Sequence, residues 1–141
     1  MTAGSDDLNY GRDDFIEKIG IAGSHAYSLL GVYELQRSGK QYSLKQGGYG
    51  KCDERIIKLR NPWGKGEWGG NWSDNSPLWN QSLKNQLQVQ KKEDGIFFMP
   101  FKEFRKYFSD FQICYYHDDY SYSAMQLQSD KNKNVFVEFY I

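Results

Sequence analysis

Residues 61–80 read NPWGKGEWGGNWSDNSPLWN and hold all four tryptophans, four glycines and two of the three prolines of the chain. Neither a helical nor a strand period survives that composition. Glycine and proline interrupt both regular backbones, while four large rings so close together favour burial. The stretch predicts a structured loop pinned by aromatic side chains.

Strand signals flank this loop. Residues 23–35, GSHAYSLLGVYEL, alternate so that His25, Tyr27 and Leu29 point one way and Ala26, Ser28 and Leu30 the other, with Gly31 marking a bulge. Residues 36–54 are polar and Gly/Lys-rich, suiting a loop or loose hairpin, and residues 55–60, RIIKLR, form a second strand. Residues 1–14 read as an irregular leader, and 81–92 fit either a short helix or an extended segment. Asp94-Gly95 signals a hairpin into an apolar strand at 96–99. Pro100 suits a helix first turn, with Phe101, Phe104 and Phe108 on one face. Residues 111–116 read as another strand, 117–122 as an acidic, Tyr-rich link, and two further strand-like runs flank the polar turn SDKNKN. The pattern predicts an α+β fold, mainly antiparallel sheet with one clear short helix.

Composition narrows the function classes. The 141 residues carry 18 Lys and Arg against 18 Asp and Glu, so the basic surplus of a nucleic-acid binder is absent. No apolar run reaches the roughly 18 residues of a membrane span, and the acidic N-terminus lacks the apolar core of a signal peptide. Two cysteines are too few for a disulfide scaffold and suit a reducing compartment, which predicts a cytoplasmic protein.

The residues that carry chemistry are few. His25 lies in a strand between Ser24 and Ala26, and Asn61 stands where a strand ends, before Pro62 and Trp63. A cysteine protease needs an imidazole to take the thiol proton and a third group to hold that imidazole in one tautomer. An Asn carbonyl serves without adding charge, and a tryptophan over the contact excludes water. The plainer readings are a structural histidine and an Asn-Pro turn. Gly64, Gly66 and Gly69 match G-x-G-x-x-G, but no helix follows, so a dinucleotide site is excluded. Glu67, Asp74 and Asp94 offer oxygens of the kind Ca²⁺ takes, although their spacing alone favours scattered acids in a solvated loop. Cys52 precedes Asp53 and Glu54, whose charges disfavour a thiolate, and Cys114 sits in an apolar strand as a buried structural thiol. His117 reads as solvated. Tryptophan and tyrosine beside Asn and Asp also raise a carbohydrate-binding module.

Taken in order, His25-Ala26-Tyr27-Ser28-Leu29-Leu30, then Leu59-Arg60-Asn61-Pro62-Trp63-Gly64, then Glu67-Trp68 with Trp72-Ser73-Asp74 and Ser76, strongly resemble the calpain family. Glu93-Asp94-Gly95 with Met99, the Phe104 and Phe108 helix and Ile113-Cys114 continue the likeness over about residues 20–116. Calpains are Ca²⁺-dependent, papain-like intracellular cysteine endopeptidases with two catalytic subdomains. The resemblance implies that His25 is the general base, that Asn61 orients it and that Trp63 shields their contact. It implies that residues 1–117 are the second, His/Asn-bearing subdomain, truncated at its N-terminus. Residues 118–141 then open a following β-sandwich domain, cut within a strand. The segment bearing the nucleophilic cysteine is missing, so the chain alone is expected to be inactive, acting on protein or peptide substrates only with a Cys-bearing subdomain.

The resemblance further implies a Ca²⁺ site of Glu67, Asp74 and Asp94 with the Lys92 carbonyl, weakened because Ile96 stands where the family has another carboxylate. Ser24 stands where the family usually has glycine. A non-catalytic calpain-like binding or scaffolding module is the alternative.

Overall fold

The computed structural model describes residues 1–6, 19–46 and 50–114. His117 and the expected second unit at 118–141 lie outside the described residues. Among the described residues there are six strands and two short helices: β1 Thr2–Ser5, β2 Ala26–Ser38, β3 Gln41–Leu44, β4 Glu54–Arg60, α1 Gln81–Leu87, β5 Ile96–Pro100, α2 Phe101–Tyr107 and β6 Phe108–Gln112. The sheet runs β5-β4-β2-β1-β6, with β3 paired to the far half of β2, and all its pairings are antiparallel. The fold is α+β and dominated by sheet.

The long strand β2 organises the rest. Its first three residues pair β1, Ser28 to Leu35 pair β4, and its last four residues pair β3. The register against β4 shifts between Leu29 and Gly31, at the glycine that interrupts the apolar alternation. Period-2 alternation gives the sheet two apolar faces. On one, Tyr27, Leu29, Ile57, Leu59, Phe97 and Met99 pack with Phe104, Phe108 and Trp68. On the other, Leu35, Ile56 and Phe98 pack with Trp72, Trp79 and the α1 residues Leu83 and Leu87. The tryptophan loop therefore closes both cores.

Local chemistry explains the short helices. Asn80 caps α1 by accepting from the Leu83 N–H at 2.9 Å, and Gln88 ends it in a left-handed conformation. That settles residues 81–92 as a short helix followed by coil. Pro100 precedes α2, and Phe104 stacks on Phe108 at 4.5 Å.

The structure corrects five expectations. Thr2–Ser5 is not an irregular leader but an interior strand between β2 and β6. Backbone pairing on both sides holds it, a long-range effect with no local signature. Asp94-Gly95 turns into β5, yet coil precedes it, so no hairpin forms. The strand expected at 111–116 is instead β6, ending at Gln112, and Cys114 beyond it is exposed rather than buried. Phe108 leaves the helix to begin that strand while keeping its stack on Phe104.

Candidate active site and its acidic neighbours

His25 immediately precedes β2 and Asn61 immediately follows β4, so the antiparallel pairing of these strands brings the two together from 36 residues apart. His25 Nε2 stands 3.0 Å from Asn61 Oδ1. The amide is oriented from behind: Nδ2 donates to the carbonyls of Lys65 at 2.7 Å and Gly66 at 3.3 Å. Its oxygen also accepts the Trp63 backbone N–H at 3.1 Å. Only Oδ1 can face the ring in this network, so His25 must present a protonated Nε2. That leaves the lone pair on Nδ1, the nitrogen a general base needs free.

Asn61 is 1% exposed, in a half-buried setting where water competes little for these bonds. Gly95 closes the floor beneath it. Its carbonyl accepts the Asn61 N–H at 2.8 Å, its φ is +81°, and a side chain there would collide with the Asn61 carbonyl. This is the physical content of the Asp-Gly signal: the turn supports Asn61.

The Trp63 ring lies over His25 with centroids 4.1 Å apart and planes 31° from parallel. Trp63 is nevertheless 57% exposed, which corrects the expectation that all four tryptophans are buried; Trp68, Trp72 and Trp79 are. Its ring covers the imidazole at the surface instead of entering either core. Beside the pair, Gly20, Ala22 and Trp63 wall a mainly apolar recess of about 440 Å³.

On its inner side His25 meets Tyr27 edge-on at 5.0 Å. The Tyr27 hydroxyl accepts the Ala22 N–H at 2.8 Å, and burial pushes its pKa up to about 12. Ser5, which no sequence pattern marks, also binds this segment. Its hydroxyl contacts the His25 N–H at 2.9 Å and the Ala22 carbonyl at 2.7 Å.

Neither cysteine adjoins His25. Cys52 lies two residues before Glu54, which pairs with Leu35 towards the far end of β2, about 30 Å from His25 at ~3.3 Å per strand residue. Cys114 lies beyond Gln112, which is opposite Thr2, while Phe108 at the other end of β6 is opposite Ser5 nearer His25. The strand therefore carries Cys114 away from the imidazole.

The three acids meet electrostatically on the far side of the Asp94-Gly95 turn. Glu67 Oε1 accepts the N–H groups of Asp94 and Gly95 at 2.9 and 2.8 Å, tying the tryptophan loop to that turn. Asp74 Oδ2 faces the Lys92 N–H at 3.4 Å, and Asp94 Oδ1 accepts from Ile96 at 3.0 Å. Burial raises the Glu67 and Asp74 carboxyls first, and repulsion from neighbouring acids raises both further. As hard oxygen donors they suit Ca²⁺ chemically. Their placement does not: among the described residues no three His, Cys, Asp or Glu side chains are grouped to hold a metal ion. No catalytic step is therefore assigned to a metal here. Also among the described residues, no helix is long and apolar enough to cross a membrane.

Similarity to known proteins gives the family. The model of the calpain family cysteine protease domain matches residues 1–115. Calpain-8 of Rattus norvegicus is 42% identical over 92 residues, covering 64% of this chain and 11% of its own length. The calpain-2 catalytic subunit of Homo sapiens is 35% identical over 92 residues, with the same 64% and 11% shares. Calpain-9 of Rattus norvegicus is 33% identical over 112 residues, covering 77% of this chain and 14% of its own length. The chain thus corresponds to a small part of these relatives. With the domain model matched over most of its length, the chain belongs to the calpain family of cysteine proteases.

Proposed function

We propose that this chain supplies the His/Asn half of a calcium-dependent, papain-like cysteine endopeptidase of the cytoplasm. Residues 1–117 act as the second catalytic subdomain, and 118–141 begin a following β-sandwich. The observation that carries the reading is the 3.0 Å His25–Asn61 contact, with the amide oriented by two carbonyls behind it.

The nucleophile comes from a separate Cys-bearing subdomain. His25 Nδ1 takes the thiol proton, and the thiolate attacks the scissile carbonyl. Imidazolium returns that proton to the leaving amine as the C–N bond breaks. Nδ1 then takes a proton from the water that hydrolyses the acyl-enzyme, and returns it to the thiolate on release. Asn61 holds the ring through the cycle, and Trp63 shields their bond. The resemblance alone brings Ca²⁺ into this reading. Glu67, Asp74 and Asp94 would lend oxygens only after the turn reorganises. A non-catalytic scaffolding module is the second reading, favoured by the distance of both cysteines from His25.

The test mixes the chain with a purified Cys-bearing calpain first subdomain and follows a fluorogenic peptide, with and without Ca²⁺. The chain alone is expected to hydrolyse nothing, and the mixture to gain an activity that His25→Ala removes. Activity indifferent to His25→Ala overturns the catalytic assignment. Binding of the two halves without hydrolysis favours the scaffold.

A further inference from the structure

We infer that Ser5 is a positioning residue for His25: its buried hydroxyl fixes the backbone from which the imidazole reaches Asn61. This rests on the catalytic reading of His25.

Ser24 has φ +48°, a left-handed conformation that a residue with a side chain rarely adopts, and His25 follows it directly. Such a kink persists only where its surroundings hold it. Regular pairing does not suffice, because the β1–β2 ladder ends at Gly4 opposite Ala26. Beyond it, the Asp6 carbonyl accepts the Ser24 N–H at 3.1 Å, and Ser5 holds His25. The Ser5 N–H donates to the His25 carbonyl at 2.9 Å, and Ser5 Oγ accepts the His25 N–H at 2.9 Å. The hydroxyl proton then points to the Ala22 carbonyl at 2.7 Å, with the His25 carbonyl also within reach at 2.9 Å.

One residue thus binds both backbone polar groups of the base and the carbonyl three residues before it. A hydroxyl has one proton to give and lone pairs to accept, so Ser5 can serve His25 and Ala22 together. Ser5 is only 7% exposed, so water does not replace these bonds readily. It is itself held centrally, since β1 pairs with β2 on one side and β6 on the other.

The orientation of His25 should therefore depend on the Ser5 oxygen. The test is long-range ¹H–¹⁵N NMR of the His25 ring in the full chain, comparing wild type, Ser5→Ala, Ser5→Cys and Ser5→Thr. Near-UV circular dichroism of the Trp72–Trp79 pair, in the core on the opposite face, reports folding independently. Wild type is expected to show protonated Nε2 and imine-like Nδ1. Ser5→Ala, still folded, should show two averaged nitrogens, and Ser5→Thr, which keeps the oxygen, should restore the wild-type pattern. Ser5→Cys, with a weaker hydrogen-bonding group, should fall between them and stands in if Ser5→Ala does not fold. In the complemented enzyme, Ser5→Ala should lower kcat on the order of 10²-fold, the loss expected of a misplaced base, with KM little changed.

A wild-type ring pattern in folded Ser5→Ala, or in Ser5→Cys where only that variant folds, overturns the inference. Failure of the catalytic reading is seen separately. If activity is indifferent to His25→Ala while the ring shifts still follow residue 5, positioning stands and catalysis falls.

Discussion

Asn61 Oδ1 lies 3.0 Å from His25 Nε2 because the other end of the same amide is committed to the Lys65 and Gly66 carbonyls. Rotating the amide by half a turn would aim its oxygen at two oxygens and its N–H groups at an N–H. The orientation is thus enforced from behind, on the side away from the imidazole.

Asn61→Ala removes every one of these bonds and leaves the Trp63 N–H and the Lys65 carbonyl without this partner. About 1–3 kcal/mol of stability should be lost, measured by urea denaturation. Asn61→Asp is predicted to behave differently with pH. Its carboxylate must face two carbonyls, so the variant should be weakest at neutral pH and recover part of the loss in acid as the group gains a proton. Equal losses for Asn61→Asp at both pH values would show that the carbonyls do not set the orientation.

Two tryptophans of one loop should respond oppositely to truncation. Trp72 is fully buried, edge-on to Trp79 at 4.7 Å and to Tyr42 at 5.1 Å. Trp72→Ala should cost about 3–5 kcal/mol, the range for emptying a large aromatic site in a core. Trp63 is 57% exposed and rests on His25. Trp63→Ala should change stability by less than about 1 kcal/mol while uncovering the imidazole. Thermal melts read the first effect and faster solvent exchange of the His25 ring proton reads the second.

Ser24, beside the site, is strained, with φ +48°. A left-handed conformation costs a residue with a side chain about 1–2 kcal/mol, whereas glycine adopts it freely. Glycine also loses about 0.4–1 kcal/mol more to the entropy of the unfolded chain. Ser24→Gly should therefore stabilise the chain by roughly 0.5 kcal/mol. A lowered melting midpoint would mean that the serine makes a compensating contact.

What the sequence made legible was local or carried by rare residues. Strand alternation around Tyr27 and Leu29, the bulge at Gly31 and the turn at Asp94-Gly95 all follow from backbone rules acting over a few residues. The pairing of His25 with Asn61 was reached through the chemical demands of a base and through family likeness, since nothing local links positions 36 apart. β1 was missed because Thr2–Ser5 is polar and short, and its place comes from neighbours distant in sequence. Ser5 was missed for the same reason. Trp63 was misjudged because composition predicts that tryptophans bury themselves, whereas this one spends its ring on a histidine at the surface. Cys114 was misplaced because an apolar run does not reveal where its strand stops.

The acids give the last prediction, a pH dependence with opposed contributions. Glu67 and Asp74 are raised above their ordinary values of 4.5 and 3.8, chiefly by burial and then by neighbouring acids. A carboxyl that binds its proton more tightly when folded makes the folded chain take up protons before the unfolded one. Its contribution is therefore most favourable below the ordinary value and is lost as pH rises through the folded value. Glu34 has the reverse sign. Hydrogen bonds from Lys45 and Arg55 hold it down at about 2, so its contribution is present above 4.5 and fades as pH falls towards 2. As pH falls from neutral through the folded values towards 4.5 and 3.8, the raised pair should make the chain more stable; nearer pH 2, loss of Glu34 pairing should reverse the trend. Glu67→Gln keeps an oxygen for the Asp94 and Gly95 N–H groups but cannot ionise. It should flatten that rise without unfolding the chain, whereas Glu34→Gln should leave the rise intact. Urea midpoints at neutral pH, about pH 5 and about pH 3 distinguish the two. An unchanged slope in Glu67→Gln would remove Glu67 from the account and leave Asp74 to be tested by Asp74→Asn.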